Sequence, residues 1–180
     1  MTVLEIDLRR LRSGSYRLRK ELDVSEIGFD CEDDLRVSGP AAIDARISTT
    51  DKLTYYVSGT IGYRVKGRCR RCLKETYKDK TTELKGLFAF NEALEKLHIS
   101  ENERESEGIF PLERDRKVVD LTDLVRESIV LDYPRFLLCS DKCLGLCPVC
   151  GADLNNGSCN CRRGVNDPRW AKLTELKKNK

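Results

Sequence analysis

The sequence predicts an α+β protein with a mainly antiparallel, barrel-like β-sheet core, one or two short helices and a C-terminal cysteine-rich lobe. Between residues 35 and 90, β-branched and aromatic residues alternate with polar ones, as in half-buried strands. Apolar residues at helical spacing follow at about 121–132, and six of the nine cysteines lie beyond residue 138. Consecutive strands followed by a helix favour an antiparallel sheet over alternating β-α-β units.

Five segments carry the strand pattern. Each combines alternating polarity with residues that favour β-structure, and turn-forming residues separate them. The segments are 3–8, 15–22, 53–57, 60–65 and 74–90. The turn at Ser13-Gly14 joins the first two segments, and Gly59, Gly62 and Gly67 predict bulges or bends in the later ones.

The segment at about 91–117 differs from the sheet region before it. It is rich in glutamate and poor in apolar residues, which predicts a mobile acidic insert with at most a short helix near 91–98. His98 lies in this insert and is expected to be exposed and without a role. The segment is therefore expected to be a linker-like insert in the core domain.

A helix is predicted at about 121–132. Asp120 is expected to cap its start, and Pro134 is expected to stop it. Its apolar residues share one face, which favours packing on the sheet over binding a partner; they are Leu121, Leu124, Val125 and Ile129. A short terminal helix is expected after Asp167-Pro168.

Composition predicts a soluble intracellular protein that is not an enzyme. No apolar run approaches the roughly 18–20 residues that span a bilayer, and acidic residues near Met1 replace the basic start of an export signal. His98 is the only histidine, and the chain has neither a His-Glu-x-x-His motif nor a phosphate-binding glycine loop. We therefore expect no membrane partner and no small-molecule substrate.

Eight of the nine cysteines form four close pairs, and the unpaired Cys31 is expected to be a small buried residue. The pairs are Cys69/Cys72, Cys139/Cys143, Cys147/Cys150 and Cys159/Cys161. In a reducing compartment, clustered cysteines more often bind metal or carry out redox chemistry than form disulfides. Because tetrahedral zinc takes four thiolates, usually as two close pairs, this pattern predicts two structural zinc ions.

The last two pairs form a local set. Cys147 and Cys150 lie in the turn Cys-Pro-Val-Cys-Gly, in which proline restricts the backbone and glycine lets amides approach the sulfurs. The segment Asn155-Asn156-Gly157 can reverse the chain toward Cys159 and Cys161. The single residue between these last two cysteines is a tighter spacing than usual.

The other set joins Cys69 and Cys72 to Cys139 and Cys143. Closing the loop of 67 residues between Cys72 and Cys139 costs about 3.7 kcal/mol. Structural zinc supplies about 10–16 kcal/mol in peptides, so metal binding outweighs this cost. The site would join a β-rich core domain, 1–138, to a zinc-binding lobe with its terminal helix, 139–180.

Other roles for the cysteines are structural disulfides or a redox pair at Cys69 and Cys72. A thioredoxin-like pair would need a β-α-β unit, whereas the flanking segments here are strand-like. Catalytic zinc is disfavoured because it usually has three protein ligands, often histidine, and an open position. Two four-thiolate zinc sites would change the formal charge from +3 to about −1, so overall basicity is no argument for nucleic acid.

These motifs together resemble the bacterial YceD family, formerly a domain of unknown function. The resemblance spans most of the chain and is carried by Cys69–Leu73, Asp120–Ile129, Pro134, Cys139–Gly151 and Asp167-Pro168-Arg169. It implies a cytoplasmic factor needed for accumulation of 23S ribosomal RNA, with no enzymatic activity. Some relatives lack the second cysteine group, which favours a stabilising role for that group.

The expected mechanism is binding of rRNA or a pre-50S particle. Basic side chains surround the cysteine motifs and are candidate phosphate contacts; they are Arg68, Arg70, Arg71, Lys74, Arg162, Arg163 and Arg169. The arginines could equally offset the negative charge of zinc-thiolate centres. Tyr55, Tyr56 and Tyr63 could stack on bases, although packing on the sheet is favoured.

Two further functions remain open. The chain could be a zinc-stabilised adaptor that contacts a ribosomal protein or an assembly enzyme through its sheet or its zinc lobe. It could also be a thiol redox sensor, which would release zinc reversibly under mild oxidation.

Overall fold

In the computed structural model, residues 4–11, 14–29, 35–96, 98, 100, 102, 104, 108–112 and 117–161 are described. Eight strands and two α-helices lie in this part of the chain. The strands are β1 (Glu5–Asp7), β2 (Ser15–Leu22), β3 (Arg36–Val37), β4 (Ala41–Ser48), β5 (Thr54–Arg68), β6 (Glu75–Phe90), β7 (Ile109–Leu112) and β8 (Val118–Asp120). The helices are α1 (Asn91–Lys96) and α2 (Thr122–Asp132).

The main sheet has six strands and is open. Its order is β2-β4-β5-β6-β7, and β3 also pairs with β5, beyond the end of β4. All pairs are antiparallel except β6 with β7. The α+β class and mainly antiparallel sheet are confirmed, but the expected barrel-like closure is wrong because the edge strands β2 and β7 do not pair. Helix α2 covers the apolar face, so the sheet buries that face without closing.

Strands β5 and β6 form the hairpin that dominates the molecule. Fifteen consecutive residues of β5 pair one-to-one with β6, from Thr54 with Ala89 to Arg68 with Glu75. At about 3.4 Å per residue, this hairpin is about 50 Å long. It extends beyond β4 and carries the loop 69–74 at its tip. The predicted strands 53–57, 60–65 and 74–90 therefore belong to one continuous hairpin.

The expected bulges in this hairpin are wrong, because its register is unbroken. Gly59 serves a different purpose: a Cβ atom there would lie 2.1 Å from the backbone oxygen of Asp44. At Gly62 an added Cβ atom would meet nothing closer than the oxygen of Ala42, which would be 4.0 Å away. Gly59 thus permits a close approach of β4 to β5, while the strand stays regular.

The first two predicted strands occur but do not pair with each other. Strand β1 pairs with β8 in a separate two-stranded sheet, and β2 pairs with β4. The turn before Ser15 therefore passes the chain from one sheet to the other. This arrangement brings the N-terminal strand beside the start of α2.

Helix α2 packs on the sheet as its apolar stripe predicts. Leu121, Val125 and Ile129 are fully buried in the main core. Gly86 of β6 allows close packing, since a Cβ atom there would lie 2.7 Å from Leu124 Cδ2. Asp120 does not occupy the N-cap position; it precedes it, and its Oδ1 accepts from the amide of Thr122 at 2.9 Å.

The acidic insert contains a strand that its composition did not predict. Helix α1 and strand β7 both lie within 91–117, and β7 extends the main sheet. Ala89, Leu94 and Ile109 form a small buried cluster between them. A short helix therefore lies near 91–98 as expected, whereas the strand after it was not predicted. Pro111 fits the edge position, where a missing N–H costs no ladder bond.

Candidate metal centres and the basic surface around them

Four cysteines converge where the tip of the β5–β6 hairpin meets the segment after α2. Cys69 and Cys72 lie in the hairpin loop, and Cys139 and Cys143 come from the other segment. Cys69 bridges to Leu137 in parallel fashion, and the amide of Arg70 donates to the oxygen of Leu137 at 2.9 Å. Backbone pairing thus brings together cysteines that are far apart in the chain.

The sulfur positions of this first centre fit a tetrahedral metal. All four Sγ atoms lie within 4.8 Å of one another. Cys69 Sγ is 3.8 Å from Cys143 Sγ, and Cys72 Sγ is 3.6 Å from Cys139 Sγ. Four sulfurs at about 2.3 Å from zinc would be about 3.8 Å apart, so the donor set and the spacing both suit zinc.

The second centre consists of Cys147, Cys150, Cys159 and Cys161, whose sulfurs also lie within 4.8 Å of one another. The narrow spacing of its last two cysteines does not prevent this convergence. Cys147 is buried, whereas the other three are half-buried or exposed. The eight cysteines therefore group in the two sets expected from sequence, and both sets could hold metal ions.

The two Cys-x-x-Cys turns have the same backbone geometry. The amide of Leu73 donates to the oxygen of Cys69 at 2.9 Å, and the amide of Gly151 donates to the oxygen of Cys147 at 2.9 Å. Both residues adopt the left-handed conformation, with φ of 60° at Leu73 and 75° at Gly151. Glycine suits that conformation, whereas leucine is strained in it.

Hydrogen bonds favour a thiolate at one cysteine of each centre. Burial opposes ionisation of Cys69, but backbone amides, beginning with that of Cys72, lower its pKa to about 6. The amides of Cys150 and Val149 likewise lower the pKa of Cys147 to about 6. A thiolate in each group is thus available to a metal near neutral pH.

Neighbouring sulfurs oppose ionisation of a second cysteine in each centre. Hydrogen bonding with the sulfurs of Cys143 and Cys72 raises the pKa of Cys139 to about 12. The sulfur of Cys150 has the same effect on Cys161, whose pKa is also raised to about 12. Four thiolates at these distances repel one another, so a full set of ionised ligands needs a bound cation.

Contacts between the two centres hold them together. Asn155, from residues 147–161 that carry the second centre (the second lobe), donates from Nδ2 to Cys143 Sγ at 3.5 Å, and its Oδ1 accepts from the amide of Leu144 at 2.8 Å. Gly145 has a φ of 76°, and a Cβ atom there would lie 3.0 Å from the oxygen of Arg71. The segment between Cys143 and Cys147 therefore packs closely on the hairpin loop. Asn155, from the second centre, also orients the sulfur of Cys143 in the first centre.

The predicted RNA contacts near the first centre are exposed. Arg68, Arg70, Arg71 and Lys74 all face solvent. Arg71 also donates from Nη1 to the backbone oxygens of Asp141 and Cys143, at 3.2 and 2.9 Å. Arg71 thus holds the loop between Cys139 and Cys143, which makes it a structural residue as well as a candidate phosphate contact.

Several expected features lie outside the described residues. They are Cys31, Arg162, Arg163, Arg169 and the terminal helix. Of the three tyrosines considered for base stacking, Tyr55 and Tyr63 are buried in the core, whereas Tyr56 is exposed and accessible. His98 is exposed, as expected.

Two features of the site escaped sequence reasoning. Asn155 was assigned only to a chain reversal, although an amide beside a cysteine motif is a common donor to sulfur. Leu73 directly follows a Cys-x-x-Cys turn, the position that glycine holds after the other turn. Comparing the two turns within the chain would have revealed this difference.

Comparisons with known proteins identify relatives over most of the chain. The family model described as "Large ribosomal RNA subunit accumulation protein YceD" matches residues 57–177, which is more than half of the chain. Uncharacterized proteins of Mycobacterium bovis and Mycobacterium tuberculosis are 29% identical over 134 residues, covering 74% of this chain. This chain spans 60% of the length of these curated relatives.

A plant protein also matches. The "Large ribosomal RNA subunit accumulation protein YCED homolog 1, chloroplastic" of Arabidopsis thaliana is 31% identical over 61 residues, 34% of this chain and 19% of the plant protein. No solved structure is significantly similar. Among the described residues, no helix is long and apolar enough to cross a membrane. The family description names an accumulation protein and no reaction.

Proposed function

Because this chain belongs to the YceD family of large ribosomal RNA subunit accumulation proteins, we propose that it supports large-subunit biogenesis by binding 23S rRNA or a pre-ribosomal particle. In this proposal it acts without catalysis, on rRNA synthesis, processing or stability. A cytoplasmic location goes with it, because bacterial ribosomes are assembled there. The observation that carries the RNA contact is the exposed basic cluster at the hairpin tip.

That basic cluster comprises Arg68, Arg70 and Lys74. All three are exposed, and the hairpin loop presents them at one end of the molecule. Proteins grip RNA largely through phosphate contacts from such side chains, which neutralise backbone charge and release counterions. The cluster therefore suits the phosphates of a single-stranded or looped RNA segment.

The chain's own contacts position this cluster. Arg71 holds the carbonyl oxygens of Asp141 and Cys143, and the amide of Arg70 donates to the oxygen of Leu137. Zinc, when bound to the first centre, would crosslink the hairpin tip to the segment after α2. The second centre, more exposed and linked through Asn155, is proposed to stabilise the first.

The test is the salt dependence of binding to 23S rRNA fragments by the zinc-loaded protein. Three phosphate contacts predict a slope of log affinity against log salt of about −2 on single strands. Arg70→Glu combined with Lys74→Glu should weaken binding and reduce the magnitude of the slope by about 0.7 per lost contact. Lys78→Glu, a charge reversal elsewhere on β6, is the matched control and should retain most of the affinity.

Affinity that is independent of salt, or equal losses in the control and the double variant, would contradict phosphate recognition at the tip. In cells, the same double variant should lower the level of 23S rRNA relative to 16S rRNA. Normal 23S rRNA levels in a strain lacking the protein would contradict the proposed function itself.

The adaptor alternative has one specific observation in its favour. An exposed apolar groove lies beside the first centre, between Leu73 and the end of α2. Pull-downs with and without ribonuclease separate the two functions. Partners that survive ribonuclease treatment indicate direct protein contact, whereas partners lost on treatment indicate contact through RNA.

A further inference from the structure

A groove of about 780 Å³ runs between the first cysteine turn and the C-terminal end of α2. One wall is the hairpin loop, which includes Cys69 and Leu73. The other wall is the last turn of α2 and the segment that follows it, including Leu131 and Phe136. The first metal centre therefore forms part of this groove, which we call the knuckle groove.

Exposed apolar side chains concentrate in the knuckle groove. Of the eight large hydrophobic side chains that are exposed in the described part of the chain, four line it. They are Leu73 (58% exposed), Val130 (54%), Leu131 (87%) and Phe136 (49%). Single exposed apolar residues need no explanation, but a contiguous group marks an interaction surface.

Leu73 is the most informative member of this group. It occupies the left-handed position that Gly151 holds in the otherwise similar second turn. The side chain gains little by burial, since more than half of it remains exposed. The hydrogen bond from the Leu73 amide to Cys69 holds the strained backbone, but it does not require a leucine, so the exposed side chain indicates a contact outside the described part of the chain.

The charge around the knuckle groove is positive. Arg68, Arg70 and Arg135 line it, and no acidic residue of the described segments does. The guanidinium of Arg70 lies 5.4 Å from the ring centre of Phe136. A partner with apolar side chains and flanking carboxylates would complement this surface in both polarity and charge.

We propose that the knuckle groove docks an acidic, amphipathic segment of another protein. Aliphatic side chains make up three of its four exposed apolar residues, and aliphatic groups do not stack on bases as aromatic rings do. The one ring among these four, Phe136, already has Arg70 above it. These features favour an apolar peptide face over an RNA base, with the arginines receiving carboxylates.

This proposal rests on the proposed function only in placing the partner on the assembling large subunit. The peptide would contact Leu73, Leu131 and the groove arginines, and Arg70 is therefore shared with the RNA test, whereas Lys74 does not line the groove and belongs to the RNA test alone. Loss of RNA binding in Lys74→Glu with retained peptide binding would therefore leave the groove proposal intact. The reverse result would leave RNA recognition intact.

The experiment selects from a phage-displayed library of random 14-residue peptides on the full-length, zinc-loaded protein. Retained peptides should be enriched in Asp and Glu and in large apolar residues. Leu73→Gly and Leu131→Ser should each weaken their binding at least tenfold by fluorescence polarisation. Val149→Ser, which changes a similarly exposed side chain on the other cysteine turn, is the matched control and should have no effect.

Folding of the variants is checked independently. Leu73→Gly places the favoured residue at a left-handed position, so its melting temperature and zinc content should equal or exceed those of the wild type. Arg135→Glu should weaken the binding of acidic peptides, and peptides selected on this variant should be less enriched in Asp and Glu. A loss of peptide binding without loss of zinc or stability therefore reports on the surface itself.

Four results would overturn the proposal. One is a selection that retains no peptides or peptides without acidic enrichment, and another is binding that Leu73→Gly and Leu131→Ser leave unchanged. A third is binding of a 12-residue oligouridylate that Leu131→Ser abolishes, which would assign the groove to RNA. The fourth is occupation of the groove by this chain itself. A dimer that Leu131→Ser dissociates would assign the groove to a second copy. Peptide binding only after the acidic residues in 30–34 are neutralised would assign the groove to that segment.

Discussion

Replacing Asn155 by alanine tests whether the second lobe supports the first metal centre. In the structure, Asn155 Nδ2 donates to Cys143 Sγ at 3.5 Å, although the asparagine belongs to the loop of the other centre. A donor to a metal-bound thiolate stabilises its negative charge and orients it. Asn155→Ala should therefore weaken zinc binding at the first centre while leaving all eight cysteines in place.

The magnitude follows from the environment of this contact. A hydrogen bond to a charged group contributes about 1.5–3 kcal/mol, and loss of a supporting residue around a metal typically lowers affinity by about 10–100-fold. Asn155 is exposed, so water can partly replace its amide. The expected loss is therefore at the lower end, about tenfold in zinc affinity at the first centre.

The assay is competition for zinc with a chromophoric chelator, which resolves the two sites by their affinities. Asn156→Ala is the matched control, because Asn156 Nδ2 donates to Asp153 Oδ2 at 3.0 Å rather than to a sulfur. Unchanged zinc affinity at the first centre of Asn155→Ala, or the same loss in Asn156→Ala, would refute the coupling between the two centres.

Three further predictions follow from the fold and the first centre. Cys69→Ser should leave one zinc ion per chain instead of two by elemental analysis, and retention of both would contradict the first centre. Gly59→Ala should destabilise the protein by about 1–3 kcal/mol or more in urea, since its Cβ would lie 2.1 Å from a backbone oxygen, whereas Gly62→Ala should be nearly neutral. Hydrogen bonds from Arg17 lower the pKa of Asp44 to about 2. Since this lies below the ordinary value of 3.8, the stability due to Asp44 is present above about pH 4 and is lost as the pH falls toward 2. Asp44→Asn should therefore flatten the fall in denaturation midpoint between pH 5 and pH 2, and an unchanged profile would argue against this ion pair.

Strand and helix positions were largely predictable where the pattern was local. The alternation in 53–65 and 74–90 reflects residues that face the core and solvent in turn, and β5 and β6 follow it. Helix α2 likewise follows its apolar stripe. Strand β7 was missed because four residues within a glutamate-rich segment carry too little pattern, and their burial depends on pairing with β6.

The partition of the cysteines was also predictable, because metal chemistry imposes it. One zinc site takes two close cysteine pairs, so four pairs can be divided between two sites in only a few ways. The structure groups the sulfurs in the expected sets. Arg71, in contrast, was predicted as a phosphate contact, and its bonds to the oxygens of Asp141 and Cys143 could not be foreseen. Those bonds join positions about 70 residues apart, which no local pattern encodes.

The sequence alone determined the β-rich character of the chain, the amphipathic helix α2 and the two sets of four cysteines. Each of these follows from a short-range period or from the fixed ligand number of a metal. Tertiary structure alone decided that the sheet stays open, that Asn155 reaches a sulfur of the other centre, and that Leu73 and Leu131 border one groove. These features depend on which distant segments meet, and that is determined by packing summed over the whole core.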